Sequence, residues 1–162
     1  MREVIEKLEA ELKPLEHELR IELPREIKTA VAMGDLRENA EYKAALERQA
    51  YVRARIGQLR ERLAAVSSIP LDQVPKDRVG LGSRVTLLDV DSDAQVVYEL
   101  VFPEIADLEK GLISSASPIG RCLLGKKEGD EIAVDIPSGK RNFELLELST
   151  VHDRKQDQEG ES

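Results

Sequence analysis

Aromatic residues are scarce in this chain. They make up 3% of 162 residues, and there is no tryptophan. So few large rings suit an extended helical pair with a modest core better than one large globule. There is one cysteine, Cys122, so no internal disulfide can form. With no leader sequence visible, a reducing cytoplasm is the expected compartment. Two histidines, His17 and His152, stand in unrelated contexts, which leaves little for imidazole catalysis or a Cys/His zinc site. Any metal would be held by oxygen, which favours magnesium, manganese or calcium. No apolar run approaches the roughly 20 residues that span a bilayer. The net charge of -8 argues against indiscriminate nucleic-acid binding, although charge can be segregated locally.

What the chain does have is charge, at 35% of residues, laid over heptads. Ile5, Leu8, Leu12, Leu15 and Leu19 alternate spacings of three and four, the seam of a coiled coil. Leu23 and Ile27 follow at two successive fours, a stutter that contains Pro24. Pro14 is a second irregularity. The pattern predicts one long, imperfect helix over 2–33. A second seam runs through Tyr42, Ala45, Gln49, Val52, Ile56, Leu59, Leu63 and Val66. Two such seams joined at Gly34 predict an antiparallel hairpin over 1–68. At about 1.5 Å per residue, helices of about 30 residues make an arm roughly 45 Å long.

After a linker at 69–80, rich in turn formers, the pattern changes. Segments 83–90 and 95–102 read as a β-hairpin with an acidic loop. Segments 112–114, 131–136 and 141–151 read as further strands, with short helices near 105–110 and 118–124. The fold class is therefore α+β: a helical hairpin, then a small domain over 81–151 with a mainly antiparallel sheet. Residues 152–162 have little to bury and are expected to be a disordered tail.

Chemistry concentrates at the turn of the hairpin, Gly34-Asp35-Leu36-Arg37-Glu38-Asn39-Ala40-Glu41-Tyr42. Asp35 with Glu38 fits an N-cap and N3 pair, an Asp variant of the capping box, which needs no further role. The same spacing brings two carboxylates together at a helix end, where they can share a divalent cation with ligands from elsewhere. The return helix carries Arg48, Arg55 and Arg62 at seven-residue intervals, with Arg53 and Arg60 likewise. These read either as a solvated, Glu-paired face or as a stripe that tracks phosphates. Gly120–Lys127 nearly matches a phosphate loop, but Lys127 stands where Ser or Thr should be, and nucleotide binding is rejected. Cys122 reads as a small apolar residue.

The tip string resembles that of bacterial transcript cleavage factors of the GreA/GreB family, and more the GreA branch. A second block, Leu112-Ile113-Ser114-Ser115-Ala116-Ser117-Pro118-Ile119-Gly120, then Leu123-Leu124-Gly125-Lys126 and Gly129-Asp130, agrees. So does Val85-Thr86-Leu87-Leu88-Asp89 with Asp91-Ser92-Asp93. The resemblance runs from about residue 4 to 151. It implies an FKBP-like C-terminal domain that binds RNA polymerase, and a coiled-coil arm that enters the secondary channel. It implies that Asp35 and Glu38 are the functional acids, sharing the polymerase's second Mg²⁺ only in the complex. Arg37, Asn39, Glu41 and Tyr42 would support the tip. Ser117, Pro118 and Ile119 would touch polymerase. Many relatives carry Lys or Arg where Leu46 stands, so contact with the nascent RNA 3′ end would fall to Lys43, Arg48 and Arg55. The protein would be a monomeric cofactor of polymerase, not a nuclease. Three rivals stand beside this reading. One is a channel-binding regulator that does not promote cleavage. Another is a coiled-coil adaptor whose acidic turn is only a cap. The last is a prolyl isomerase, for which Tyr98, Phe102 and Phe143 supply too few rings.

Overall fold

The computed structural model describes residues 2–160, and it divides into two compact units, Met1–Ile69 and Pro70–Ser162. The first unit is the helical hairpin. Helix α1 spans Arg2–His17 and runs without interruption into a π-helical stretch, Glu18–Glu22, and then into α2, Leu23–Ala32. The return helix α3 spans Ala40–Ser67.

The π stretch is how the chain absorbs the stutter. The Leu23 N–H reaches back five residues to the Glu18 carbonyl, not four. Pro24 has no N–H, so the carbonyl of Arg20 has no α-helical donor, and a widened turn spreads that loss. The outcome is one continuous helical rod with a local change of pitch, and Leu23 at its end is buried. Val4, Leu8, Leu12, Leu23 and Ala30 pack against Ala45, Val52, Ile56, Leu59 and Val66. Ile5, Leu15, Leu19, Ile27, Tyr42, Gln49 and Leu63 flank that stripe half-buried.

Charge closes the seam from outside. Arg48 donates to Glu18 through Nε at 2.9 Å and Nη2 at 3.0 Å. Arg55 donates to Glu11 through Nε at 2.7 Å and Nη2 at 3.0 Å. These two pairs lie seven residues apart on both helices, so they repeat one heptad contact. Arg60 reaches Glu16 at 2.8 Å. Each pair is a charge-assisted fork or single bond at the surface, and together they favour one register.

The second unit is a five-stranded sheet in the order β3-β2-β1-β5-β4. Its strands are β1 (Arg84–Asp89), β2 (Gln95–Val101), β3 (Leu112–Ser114), β4 (Glu131–Ile136) and β5 (Gly139–Ser149). All neighbours are antiparallel except β2 and β3. Alternation sends Val85, Leu87, Ile132, Val134, Phe143 and Leu145 to one face, where they meet Leu100, Ile113 and Leu123. Leu123 comes from the short helix α4, Pro118–Leu123, which covers that face. The Asp89 carboxylate turns the β1–β2 loop by accepting from the Asp91 and Ser92 amides.

Two expectations need revision. Residues 69–80 hold a 3₁₀ turn at Leu71–Gln73, and Val74 and Val79 are buried, Val79 in the core of the sheet unit. The Val79 amide and carbonyl bond Lys126 and Gly125, so this stretch belongs to the second unit's packing. The expected tail is helix α5, Val151–Gly160. Its start is a capping pair: Asp153 accepts from the Thr150 amide at 2.8 Å. Arg154 anchors it to Glu99 at 2.8 Å and to the Gly82 carbonyl, and His152 bonds the Val74 carbonyl at 2.8 Å. The last residues of that tail, 161 and 162, lie outside the described residues. Among the described residues no helix is long and apolar enough to cross a membrane.

Candidate functional site

The turn between α2 and α3 occupies residues 33–39, and every residue from 31 to 38 is exposed. Gly34 opens it at φ 122°, a left-handed conformation that a side chain resists. Its amide closes a turn onto the Val31 carbonyl at 3.4 Å. Asp35 then forms an Asx turn, Oδ1 accepting from the Arg37 amide at 3.0 Å.

The cap of α3 is Asn39, not Asp35. Its Oδ1 accepts from the Tyr42 amide at 3.1 Å, and its backbone is extended as a cap requires. The capping-box expectation for Asp35 and Glu38 is thereby corrected. The reason is length: the Gly34 and Asp35 turns use up 34–37 before the chain can enter a helix. This frees the acids. One Asp35 oxygen is bonded locally. Among the described residues nothing bonds or pairs with the Glu38 carboxylate. Glu41 lies in the first turn of α3, exposed, and Tyr42 is half-buried on the seam.

The basic candidates separate. Lys43 is exposed with no partner among the described residues. Arg48 and Arg55 are committed to helix α1 and the π stretch. The hydrogen bond from Arg55 holds the Glu11 carboxyl below the ordinary range, with the Coulomb attraction adding to it and burial opposing. The reciprocal bonds push both arginines up: Glu18 acts on Arg48 and Glu11 on Arg55. Arg48 also lies over the Tyr51 ring, 5.2 Å from its centroid. Leu46 is exposed.

In the sheet unit, Ser117 caps α4 by accepting from the Gly120 amide at 3.1 Å, and its hydroxyl donates to the Ser114 carbonyl at 2.6 Å. Pro118 is exposed at the first turn, where its missing N–H costs nothing. Ile119 packs half-buried against the core. So Ser117 and Ile119 have structural work in addition to any contact they make, and Pro118 is the free surface of the three. Cys122 is packed against the same core.

The sheet unit's described residues form a packed core with no cluster of three metal-ligating side chains, and the hairpin presents two carboxylates on a solvated turn. Residues 2–67 match the family described as "Transcription elongation factor, N-terminal", and residues 74–150 match "Transcription elongation factor, GreA/GreB, C-term". The chain belongs to the GreA/GreB family of transcription elongation factors. It is 46% identical over 143 residues to the transcription elongation factor GreA of Helicobacter hepaticus, covering 88% of each chain. It is 46% identical over 145 residues to GreA of Orientia tsutsugamushi strain Boryong, covering 90% of this chain and 91% of the relative. Among solved structures, the GreA factor homolog 1 protein of Thermus thermophilus aligns with 90% of this chain and 94% of its own, at 29% identity and a TM-score of 0.42.

Proposed function

We propose that this elongation factor docks on RNA polymerase through its sheet unit, passes its helical hairpin into the secondary channel, and delivers Asp35 and Glu38 to the polymerase active site. There it stimulates Mg²⁺-dependent cleavage of backtracked RNA and so rescues arrested complexes. The observation that carries this reading is the freedom of the acids: Asn39 caps the helix, and among the described residues Glu38 is unengaged and Asp35 keeps one oxygen free. Had the two formed a capping box, the cap would compete with any metal.

The donor set suits a hard cation. Asp35 and Glu38 are oxygen ligands, and Mg²⁺ prefers six oxygens and retains its waters. Two carboxylates hold it weakly alone, so the polymerase and its RNA would supply the rest. When bound, the ion contributes charge stabilisation to phosphodiester cleavage. The chain's own part is to carry two anions on a thin support, to orient them, and to leave with them. A polymerase that must also extend RNA gains from a ligand set that is borrowed. The protein is thus a cofactor of the polymerase and not itself an enzyme.

For the nascent RNA 3′ end, Lys43 is the favoured contact, since it lies in the first turn of α3 and has no partner among the described residues. Arg48 and Arg55 would need to leave Glu18 and Glu11 to touch phosphates. Pro118, with Ser117 and Ile119, would belong to the polymerase-docking surface. The factor would act as a monomer in the cytoplasm.

The test uses a stalled, backtracked complex with 3′-labelled RNA. Wild-type protein with Mg²⁺ is expected to release short 3′ fragments. The Asp35→Asn/Glu38→Gln double variant is expected to bind equally and to lose cleavage by at least ~100-fold, the scale of a misplaced catalytic group. Binding by both proteins without fragments from either would replace this reading with a non-cleaving channel regulator. Cleavage by the double variant at the wild-type rate would show that the acids are not the groups that act.

A further inference from the structure

Asn39 is the one buried residue among 31–40, at 9% exposure, and its side chain bonds both arms of the hairpin. The oxygen side caps α3 through the Tyr42 amide at 3.1 Å. The nitrogen side, Nδ2, donates to the Ala30 carbonyl at 2.6 Å. Ala30 is in the last turn of α2, where carbonyls lack α-helical donors, and its own side chain is 2% exposed. The same carbonyl accepts the Met33 amide at 3.1 Å, so both its lone pairs are used.

We infer that Asn39 is a positioning residue for cleavage: its carboxamide latches the end of α2 to the start of α3 and thereby fixes where Asp35 and Glu38 point. The inference rests on the cleavage reading above. The loop 31–38 has no buried side chain to hold it. Its remaining internal restraints are the turn hydrogen bonds onto Ala30 and Val31 and the Asp35–Arg37 Asx turn, which set local conformation but do not tie one helix to the other. Asn39 does, and it is bonded covalently to Glu38. A cap alone needs only an acceptor, which Ser, Thr or Asp supply. The second bond needs a donor on the same side chain at fork spacing. Asparagine has both groups, and serine at the cap loses the reach to Ala30.

Asn39→Ser keeps a cap acceptor and removes the amide donor, while adding no charge near the acids. Asn39→Ala removes both and serves as a second variant. Two measurements are made on each, after circular dichroism confirms the helical content of the wild type. The first is amide order parameters for residues 34–38 in the free protein, which need neither polymerase nor metal. The second is cleavage of the backtracked complex against factor concentration and against Mg²⁺. In Asn39→Ser the order parameters are expected to fall, and the maximal cleavage rate to drop roughly 10- to 100-fold. The half-saturating factor concentration is expected to stay put, while the Mg²⁺ needed for half-maximal rate rises.

Order parameters and rates equal to wild type in both variants would overturn the latch. A loosened loop with unchanged cleavage would overturn its role in positioning. A shift confined to the half-saturating factor concentration would make Asn39 a docking residue and overturn the inference equally. If the wild type itself released no fragments, the cleavage reading would fall first, and this one with it.

Discussion

A single missing methyl decides the position of α4. A Cβ on Gly120 would run into the Ser114 carbonyl oxygen, which is backbone and cannot step aside, and would stand 3.0 Å from Ser117 Oγ. Gly125 differs: its φ is 81°, but the space around it is open. Gly120→Ala should therefore cost about 3 kcal/mol, as overpacking does, and Gly125→Ala about 1 kcal/mol, as a left-handed non-glycine does. In thermal unfolding of the sheet unit, that separates the two by roughly 10 °C. Equal shifts would mean that α4 can slide. Neither reason is visible in the sequence, where both glycines belong to a near-match to a phosphate loop. The tip shows the same limit. Asp35 and Asn39 are both cap-type residues four apart, and Asp35 with Glu38 matched the capping pattern better. What decided for Asn39 was the room the Gly34 turn needs, a steric quantity. The seam did hold a hint: its first member, Tyr42, is three residues beyond Asn39, the spacing of a cap to the amide it bonds.

At the scale of elements the heptads carried most of the information. Both seams, the strand positions and the first β-hairpin follow from period and turn chemistry, since each depends on local alternation. Three features do not. The π stretch needs the sum of a stutter and a proline. The Val74–Val79 stretch shows isolated valines with no period. Helix α5 has almost no apolar face, and its only signal was Thr150 with Asp153 three residues on, a capping pair. The ion pairs were legible as a pattern but not as partners, because the sequence cannot give the register between helices. That register makes a pH prediction. The Glu11 carboxyl is held below its ordinary value of 4.5 by Arg55, so folding favours its charged form. Its contribution is fully present above that value and is lost as pH falls through the lower folded value. The pair is surface-exposed, so the effect lies within about 1 kcal/mol. Helix melting followed at 222 nm from pH 6 to pH 3 should show Glu11→Gln less stable than wild type at pH 6. The gap should close at the acid end, and 1 M salt should narrow it at pH 6. A gap that widens on acidification would place the stabilisation elsewhere.

The whole molecule is two units with separate cores, one a stripe between helices and the other a sheet face under α4. This division has a functional consequence under the proposed reading. Docking and chemistry are assigned to different units, so neither alone does the job. The sheet unit, 70–162, should fold by itself, because its core draws on no residue before 70. It should compete with the full-length factor for polymerase while giving no RNA fragments. The hairpin, 1–69, carries the acids but no docking surface. In the intact protein, docking raises the local concentration of the tip to the millimolar scale typical of tethered groups. Detached, the hairpin should stimulate cleavage only at concentrations ~100-fold or more above those of the whole protein. Titration of each fragment, separately and mixed, into the backtracked complex checks this. The mixture should do no better than the hairpin alone, and worse once the sheet fragment saturates any site the two share. If the mixture restored full activity at low concentration, the covalent connection would be dispensable, and the units would be assembling on polymerase through surfaces of their own.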